Sequence, residues 1–123
     1  MPSARVRLRS DAAREFTAAV EWYEADDSPS AVTFLRAFDQ TIEQIANFPA
    51  SGTLTGEPGV RQILVPGFPY YIVYYERGGP EIAVVAVAHT SRESGCWRAR
   101  LRPREGAAFG RVSAGGRRPD TLE

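Results

Sequence analysis

The segment IAVVAVAHTSRESGCWR, residues 82–98, decides how this chain folds. It begins with an unbroken run of small and β-branched apolar residues, a pattern typical of a central strand covered on at least one face. The run stops at His89, the only histidine, and a polar loop leads on to Trp97 and Arg98. Because rigid scaffolds often present working groups where a strand passes into a loop, this segment predicts a functional site at the exit of a buried strand.

Two further strand-like runs precede this segment. Residues 60–65 form the first, and PYYIVYYE, residues 69–76, forms the second, which is rich in tyrosine and β-branched residues. Pro66-Gly67 and Gly78-Gly79-Pro80 supply turns between the runs. Short turns between successive strands predict an antiparallel meander.

The first half of the chain predicts one short strand followed by two amphipathic helices. Polar and apolar residues alternate from Arg5 to Arg9, the period of a half-buried strand. Apolar residues then recur at spacings of three and four, first from Ala12 to Tyr23 and again from Ala31 to Ile45. Ser28-Pro29 begins the second helix directly after the first ends, so the two helices should form an antiparallel hairpin.

The predicted fold is therefore of the α+β class with the order β-α-α-β-β-β. A helix hairpin packs on one face of a small, four-stranded antiparallel sheet. Residues 1–102 form this one domain, a size that can bury a core. Residues 103–123 are rich in glycine and arginine, show no period, and are predicted to be a flexible tail.

Composition narrows the function classes. Net charge is zero, but residues 1–60 hold five arginines against nine acidic residues, and residues 61–123 hold ten against six. All basic residues are arginine, and a basic second half suits one anion-seeking face more than a general RNA binder. One cysteine and one histidine give no disulfide and no metal-ligand spacing, and no apolar run could cross a bilayer. We expect a cytoplasmic protein without metal or cofactor.

The candidate binding residues lie at the exit of the last strand and on the strands beside it. They are Arg61, Tyr71, His89, Arg92, Trp97 and Arg98.

Each candidate also has a purely structural interpretation. His89 is either a general base or a satisfied structural histidine. Arg92 and Arg98 either clamp an anion or lie solvated in the loop. Trp97 either stacks on a partner or closes the end of the core, and we favour the core.

The order of these features resembles the RelE/ParE superfamily, the toxin halves of type II toxin–antitoxin modules, often called plasmid stabilisation proteins. The resemblance runs from about Val6 to Arg102 and rests on three stretches of sequence. They are AVEWYEADDSPSAVTFLRAFDQTIEQIANFP, GVRQILVPGFPYYIVYY and IAVVAVAHTSRESGCWR. The fold that the resemblance implies agrees with the order derived above from periodicity.

The resemblance implies two possible activities. RelE-like members cut mRNA on the ribosome with arginines and a C-terminal tyrosine, whereas ParE-like members poison DNA gyrase and cut no RNA. Where nucleases place an arginine in the middle strand, this chain has Tyr71, and Trp97 stands near the position of the tyrosine. Without those groups there is little to activate a 2′-hydroxyl or stabilise a phosphorane. We therefore expect a ParE-like binding toxin more than an enzyme.

The alternative is an RNA endonuclease that uses His89 with Arg61, Arg92 and Arg98. Such a nuclease needs His89 and at least two of the arginines on one open concave surface. On either interpretation the resemblance implies a cognate antitoxin as partner, with DNA gyrase or the ribosome and its mRNA as target. An acidic, amphipathic antitoxin segment would suit the arginine-bearing face.

Overall fold

A computed structural model describes residues 4–26, 28–92 and 95–101 of the chain, so the predicted tail at 103–123 lies outside it. The described helices are α1 (Ser10–Asp26) and α2 (Ser28–Asn47). The described strands are β1 (Arg5–Leu8), β2 (Thr53–Leu54), β3 (Val60–Leu64), β4 (Tyr70–Gly78) and β5 (Glu81–His89). Within these residues, neither helix is both long and apolar enough to cross a membrane.

The five strands form one mixed sheet in the order β1-β5-β4-β3-β2. The predicted α+β class, the helix hairpin and the antiparallel meander of β3, β4 and β5 are confirmed. Two expectations are wrong. The sheet has a fifth strand, because β2 pairs with β3, and it is not purely antiparallel, because β1 runs parallel to β5 with Arg5 beside Glu81 and Leu8 beside Val84.

The parallel pairing of β1 has a simple physical reason. Alternation between polar and apolar residues reports the burial of a strand and not its direction. A parallel neighbour needs a long crossover, which the helix hairpin supplies together with the meander. The backbone N–H groups of Arg5 and Arg9 extend the pairing by donating to the carbonyls of Pro80 and Val84 at 2.7 and 2.9 Å.

The helix hairpin covers one face of the sheet, which we call the first face. Phe34 of α2 is fully buried there, and its ring contacts those of Tyr23, Phe68 and Tyr70 at centroid distances of 5.1–5.6 Å. Such tilted and edge-on pairs add to the free energy gained by burying the rings themselves. The apolar stripes predicted for both helices therefore form the main core.

The opposite face, here the second face, carries its own smaller apolar cluster. Its buried members are Val60, Val73, Val85, Ala86, Ala88 and Trp97. A β-bulge in β5 leaves Val85 without a partner on β4, because Val73 pairs with Ala86 and Tyr74 with Val84. The bulge lets Val85 and Ala86 join the same cluster. β5 is thus buried on both faces, where its continuous apolar sequence predicted cover on at least one.

A buried tyrosine fixes the chain between α2 and β2. The Tyr74 hydroxyl donates to the carbonyl of Pro49 at 2.6 Å and accepts from the N–H of Gly52 at 3.0 Å. A side chain at Gly52 would overlap this hydroxyl. The loop therefore closes tightly over the end of the first face.

We predict that Tyr74→Phe lowers the free energy of unfolding by about 1–2 kcal/mol, because it leaves a buried N–H and a buried carbonyl without their partner. Urea denaturation followed by circular dichroism measures this loss. Tyr75→Phe is the matched control, since the Tyr75 hydroxyl has no hydrogen bond among the described residues. Equal losses for the two variants would contradict the role given to the Tyr74 hydroxyl.

Candidate binding site

The last described segment, residues 95–101, folds back over the second face, and we call it the strap. It begins at Gly95, whose φ of +80° is a backbone conformation that residues with a side chain rarely adopt. It then places the Trp97 ring in the second-face cluster, where the residue is only 3% exposed. This burial agrees with the interpretation that Trp97 closes the end of the core.

Arg98 ties the strap to the loop between β2 and β3. Its Nε donates to the Glu57 carboxylate at 3.3 Å, and its Nη2 donates to the carbonyl of Thr55 at 3.1 Å. Its guanidinium carbon lies 5.1 Å from the centre of the Trp97 ring, within the range of a cation–π contact. The Arg98 guanidinium is therefore already engaged by contacts within the chain.

Arg100 ties the other end of the strap to α1 and β5. It donates to both carboxylate oxygens of Glu15, at 2.8 and 3.1 Å, and to the carbonyl of Val85 at 2.8 Å. The other Glu15 bond comes from the backbone N–H of Val87 at 3.0 Å. This hydrogen-bonded carboxylate raises the pKa of Arg100 above its usual value. Together, Glu15 and Arg100 provide hydrogen-bond partners for backbone groups of β5 where that strand extends beyond the short strand β1.

A cleft of about 250 Å³ lies between the strap and the adjoining strands on the second face. Its described lining residues are Gln62, Tyr71, Val73, Ala88, His89, Thr90, Arg92, Gly95, Cys96 and Trp97. Tyr71 comes from β4, His89 from the end of β5, and Arg92 from the loop that follows. The strand exit singled out in the sequence thus opens into a concave surface.

His89 has one ring nitrogen already occupied. Its Nδ1 accepts a hydrogen bond from the backbone N–H of Ser91 at 3.0 Å, so the neutral ring carries its proton on Nε2. The ring stands edge-on to Tyr70, with centroids 5.2 Å apart. Burial in the first-face core raises the pKa of the Tyr70 hydroxyl. The His89 ring is therefore held on the first face beside Tyr70, at the end of β5 where the cleft begins.

The structure brings together four of the six candidate binding residues. Tyr71, His89, Arg92 and Trp97 line the cleft, whereas Arg98 is paired with Glu57 and does not line it. Arg61 lies elsewhere, since its Nη1 donates to the carbonyls of Gly52 and Ala50 at 2.8 and 3.3 Å. Among the described residues, the cleft holds one arginine beside His89.

The sequence reasoning missed three residues that shape this site. Gln62 of β3 lines the cleft. Glu15 and Arg100 hold the strap that forms one wall. The only signal for the pair was that Glu15, three residues after Ala12 and four before Ala19, falls on the apolar stripe of α1, which does not identify a partner. No three His, Cys, Asp or Glu side chains of residues 4–26, 28–92 and 95–101 lie together as they would to hold a metal ion.

Comparisons with known proteins agree with this architecture. The sequence model of the family described as "ParE toxin of type II toxin-antitoxin system, parDE" matches residues 6–94. A solved structure titled "Chromosomal ParDE TA system from P. aeruginosa" superposes with a TM-score of 0.62 at 16% identity, covering 72% of this chain and 98% of that one. At that identity the likeness shows the fold alone. No curated protein matches the chain.

Proposed function

Because this chain belongs to the family of ParE toxins of type II toxin–antitoxin systems, we propose that it arrests growth by binding a protein target, DNA gyrase, and is neutralised by a cognate antitoxin. Both partners act in the cytoplasm, where we place the protein. Binding, and not catalysis, is its direct action in this proposal.

The placement of the arginines is the observation that carries this proposal. Arg61 bonds backbone carbonyls at the loop after α2, Arg98 is paired with Glu57, and only Arg92 lines the cleft beside His89. Stabilising a phosphorane needs several cationic or donor groups aimed at one point. A protein surface can bind a partner through one arginine and neighbouring aromatic rings. In protein interfaces Tyr, Trp and Arg supply most of the binding energy.

The antitoxin would cover the same surface. The second half of the chain, which contributes the cleft, carries ten of the fifteen arginines. An acidic, amphipathic antitoxin segment laid across the cleft would be attracted by this charge and would mask it from the target.

One observation favours the second candidate function, an mRNA endonuclease. His89, Tyr71 and Arg92 line the same cleft. They could act respectively as base, hydroxyl donor and phosphate ligand in a reduced nuclease site, provided that Nδ1 of His89 gives up the hydrogen bond from Ser91 to accept the proton.

Induced expression in a bacterium without the antitoxin tests the proposal. We expect growth arrest accompanied by DNA-damage signalling, full-length transcripts, and rescue by co-expression of the short protein encoded beside the toxin gene. Arrest with shortened transcripts would identify the nuclease instead, and no arrest at all would refute both functions.

His89→Ala separates the two candidates at the level of one side chain. We predict that this variant keeps most of its toxicity, because a binding surface loses only one contact. A nuclease without its base should cleave RNA about two to four orders of magnitude more slowly. Its toxicity should be lost with that activity. The readouts are colony counts and transcript length after induction, with circular dichroism to verify folding and Arg36→Gln on the exposed side of α2 as control.

A further inference from the structure

We propose that the cleft between the strap and β4–β5 receives a carboxylate side chain of the partner protein. This inference rests on the proposed function, because it names the chemistry by which that same surface recognises its partner. The hydrogen-bonding groups that line the cleft, the charge of those groups and the size of the cleft all support it.

The cleft is rich in donors that have no partner among the described residues. The guanidinium of Arg92, the phenol of Tyr71 and the side-chain amide of Gln62 make no hydrogen bond to any other described residue, and all three line the cleft. His89 lies beside them, with its ring packed against Tyr70 on the first face. Three donor side chains around one space favour an acceptor ligand.

The charge of the lining selects an anion among acceptors. No described lining residue is acidic, and Arg92 is fully charged at neutral pH and exposed to solvent. A guanidinium binds a planar carboxylate through two parallel hydrogen bonds, which are about twice as strong as neutral ones. An anion here would therefore meet one arginine and up to two neutral donors.

The size of the cleft suits a single side chain. Its volume is about 250 Å³, and the walls offered by Val73, Ala88 and Trp97 suit the methylene groups of an acidic side chain. The cleft can therefore admit one glutamate or aspartate side chain.

The surroundings favour a protein over RNA as the source of the anion. RNA presents phosphates in series, and its binding depends on several cationic residues along the strand. Of the other candidate arginines, Arg98 is paired with Glu57 and Arg61 with backbone carbonyls. The net charge of the whole chain is zero. A single carboxylate on a folded partner needs only one cation, and among the described lining residues Arg92 supplies it.

The single histidine makes the test clean. In untagged full-length protein, imidazole resonances in a ¹H–¹⁵N NMR spectrum report on His89 alone. We would titrate N-acetyl-glutamate N-methylamide at constant pH and ionic strength, with the neutral N-acetyl-glutamine N-methylamide as the matched probe. We expect a saturable shift of the His89 resonances with the glutamate probe and none with the glutamine probe.

Two variants locate the effect. Arg92→Gln should weaken binding of the glutamate probe by about tenfold or more, because it removes the charged donor. Arg36→Gln, which removes an exposed arginine of α2 far along the chain from the cleft, should leave it unchanged.

Three results would overturn the inference. They are no saturable shift with the glutamate probe, equal binding by the Arg92→Gln variant, and tighter binding of inorganic phosphate or adenosine monophosphate than of the glutamate probe. The last would assign the cleft to nucleic acid. Failure here is distinguishable from failure of the proposed function, because growth arrest with full-length transcripts tests the latter without reference to the cleft.

Discussion

Replacing Trp97 with alanine is expected to lower the free energy of unfolding by about 3–5 kcal/mol, the range measured for large aromatic residues in cores. The indole is 3% exposed and packs against Val73, Val85 and Ala88 on the second face. Neither α1 nor α2 covers that face, so little of the described structure can move in to fill the space. Urea denaturation followed by far-ultraviolet circular dichroism measures the loss.

Trp22 provides the matched control for this prediction. It is 62% exposed at the surface of α1 and its ring contacts only that of Tyr23 among the described aromatic residues. Trp22→Ala should therefore change stability by less than about 1 kcal/mol. Similar losses for the two tryptophans would show that the strap does not hold the second face together. Trp97→Phe should recover part of the loss, because it restores much of the buried area.

Replacing Arg100 with alanine is expected to lower the free energy of unfolding by about 2–4 kcal/mol. The side chains of Arg100 and Glu15 are 22% and 19% exposed, so the variant leaves a largely buried carboxylate without its cation. The carbonyl of Val85 loses its donor at the same time. The expected loss is below the upper limit for a fully buried pair because solvent still reaches both groups.

A double-mutant cycle tests whether the loss belongs to the pair. Glu15→Gln keeps an acceptor for the N–H of Val87 but removes the charge, so the double variant should be less destabilised than the sum of the single changes. Arg14→Ala is the surface control, since Arg14 pairs with Asp11 on the exposed side of α1 at 71% exposure. Such exposed pairs contribute at most about 1 kcal/mol. Additive losses for Glu15 and Arg100 would refute the coupling.

Periodicity was sufficient to predict most of the fold. The apolar stripes of α1 and α2 follow the helical repeat, and Ser28-Pro29 marks the start of α2 within a residue. The continuous apolar run of β5 predicted a strand covered on at least one face, and the structure buries it on both. These elements were predictable because their burial follows from neighbours close in sequence.

The direction of β1 and the existence of β2 could not be predicted in the same way. β1 alternates whichever way it runs, and its partner lies at the far end of the domain. β2 has two residues, Thr53 and Leu54, both exposed, which is too short for any period to appear. Strand direction and short edge strands depend on which long-range contacts close the sheet.

Only part of the candidate site was open to sequence reasoning. The position of His89 at a strand exit was enough to group it with Arg92 and Tyr71. The sequence could not identify the partners of the other arginines, because a guanidinium reaches far from its own backbone. Arg98 meets a carboxylate 41 positions away, and Arg100 meets one 85 positions away.

The parallel contact between the first and last strands has a consequence for synthesis on the ribosome. Arg5 pairs with Glu81, so β5 can join β1 to the rest of the sheet only after both helices, β3 and β4 have emerged. A polypeptide interrupted before that point has its helices but lacks a strand that covers their apolar sides. Such products would expose apolar surface and be degraded, so the folded domain forms only after β5 has been synthesised.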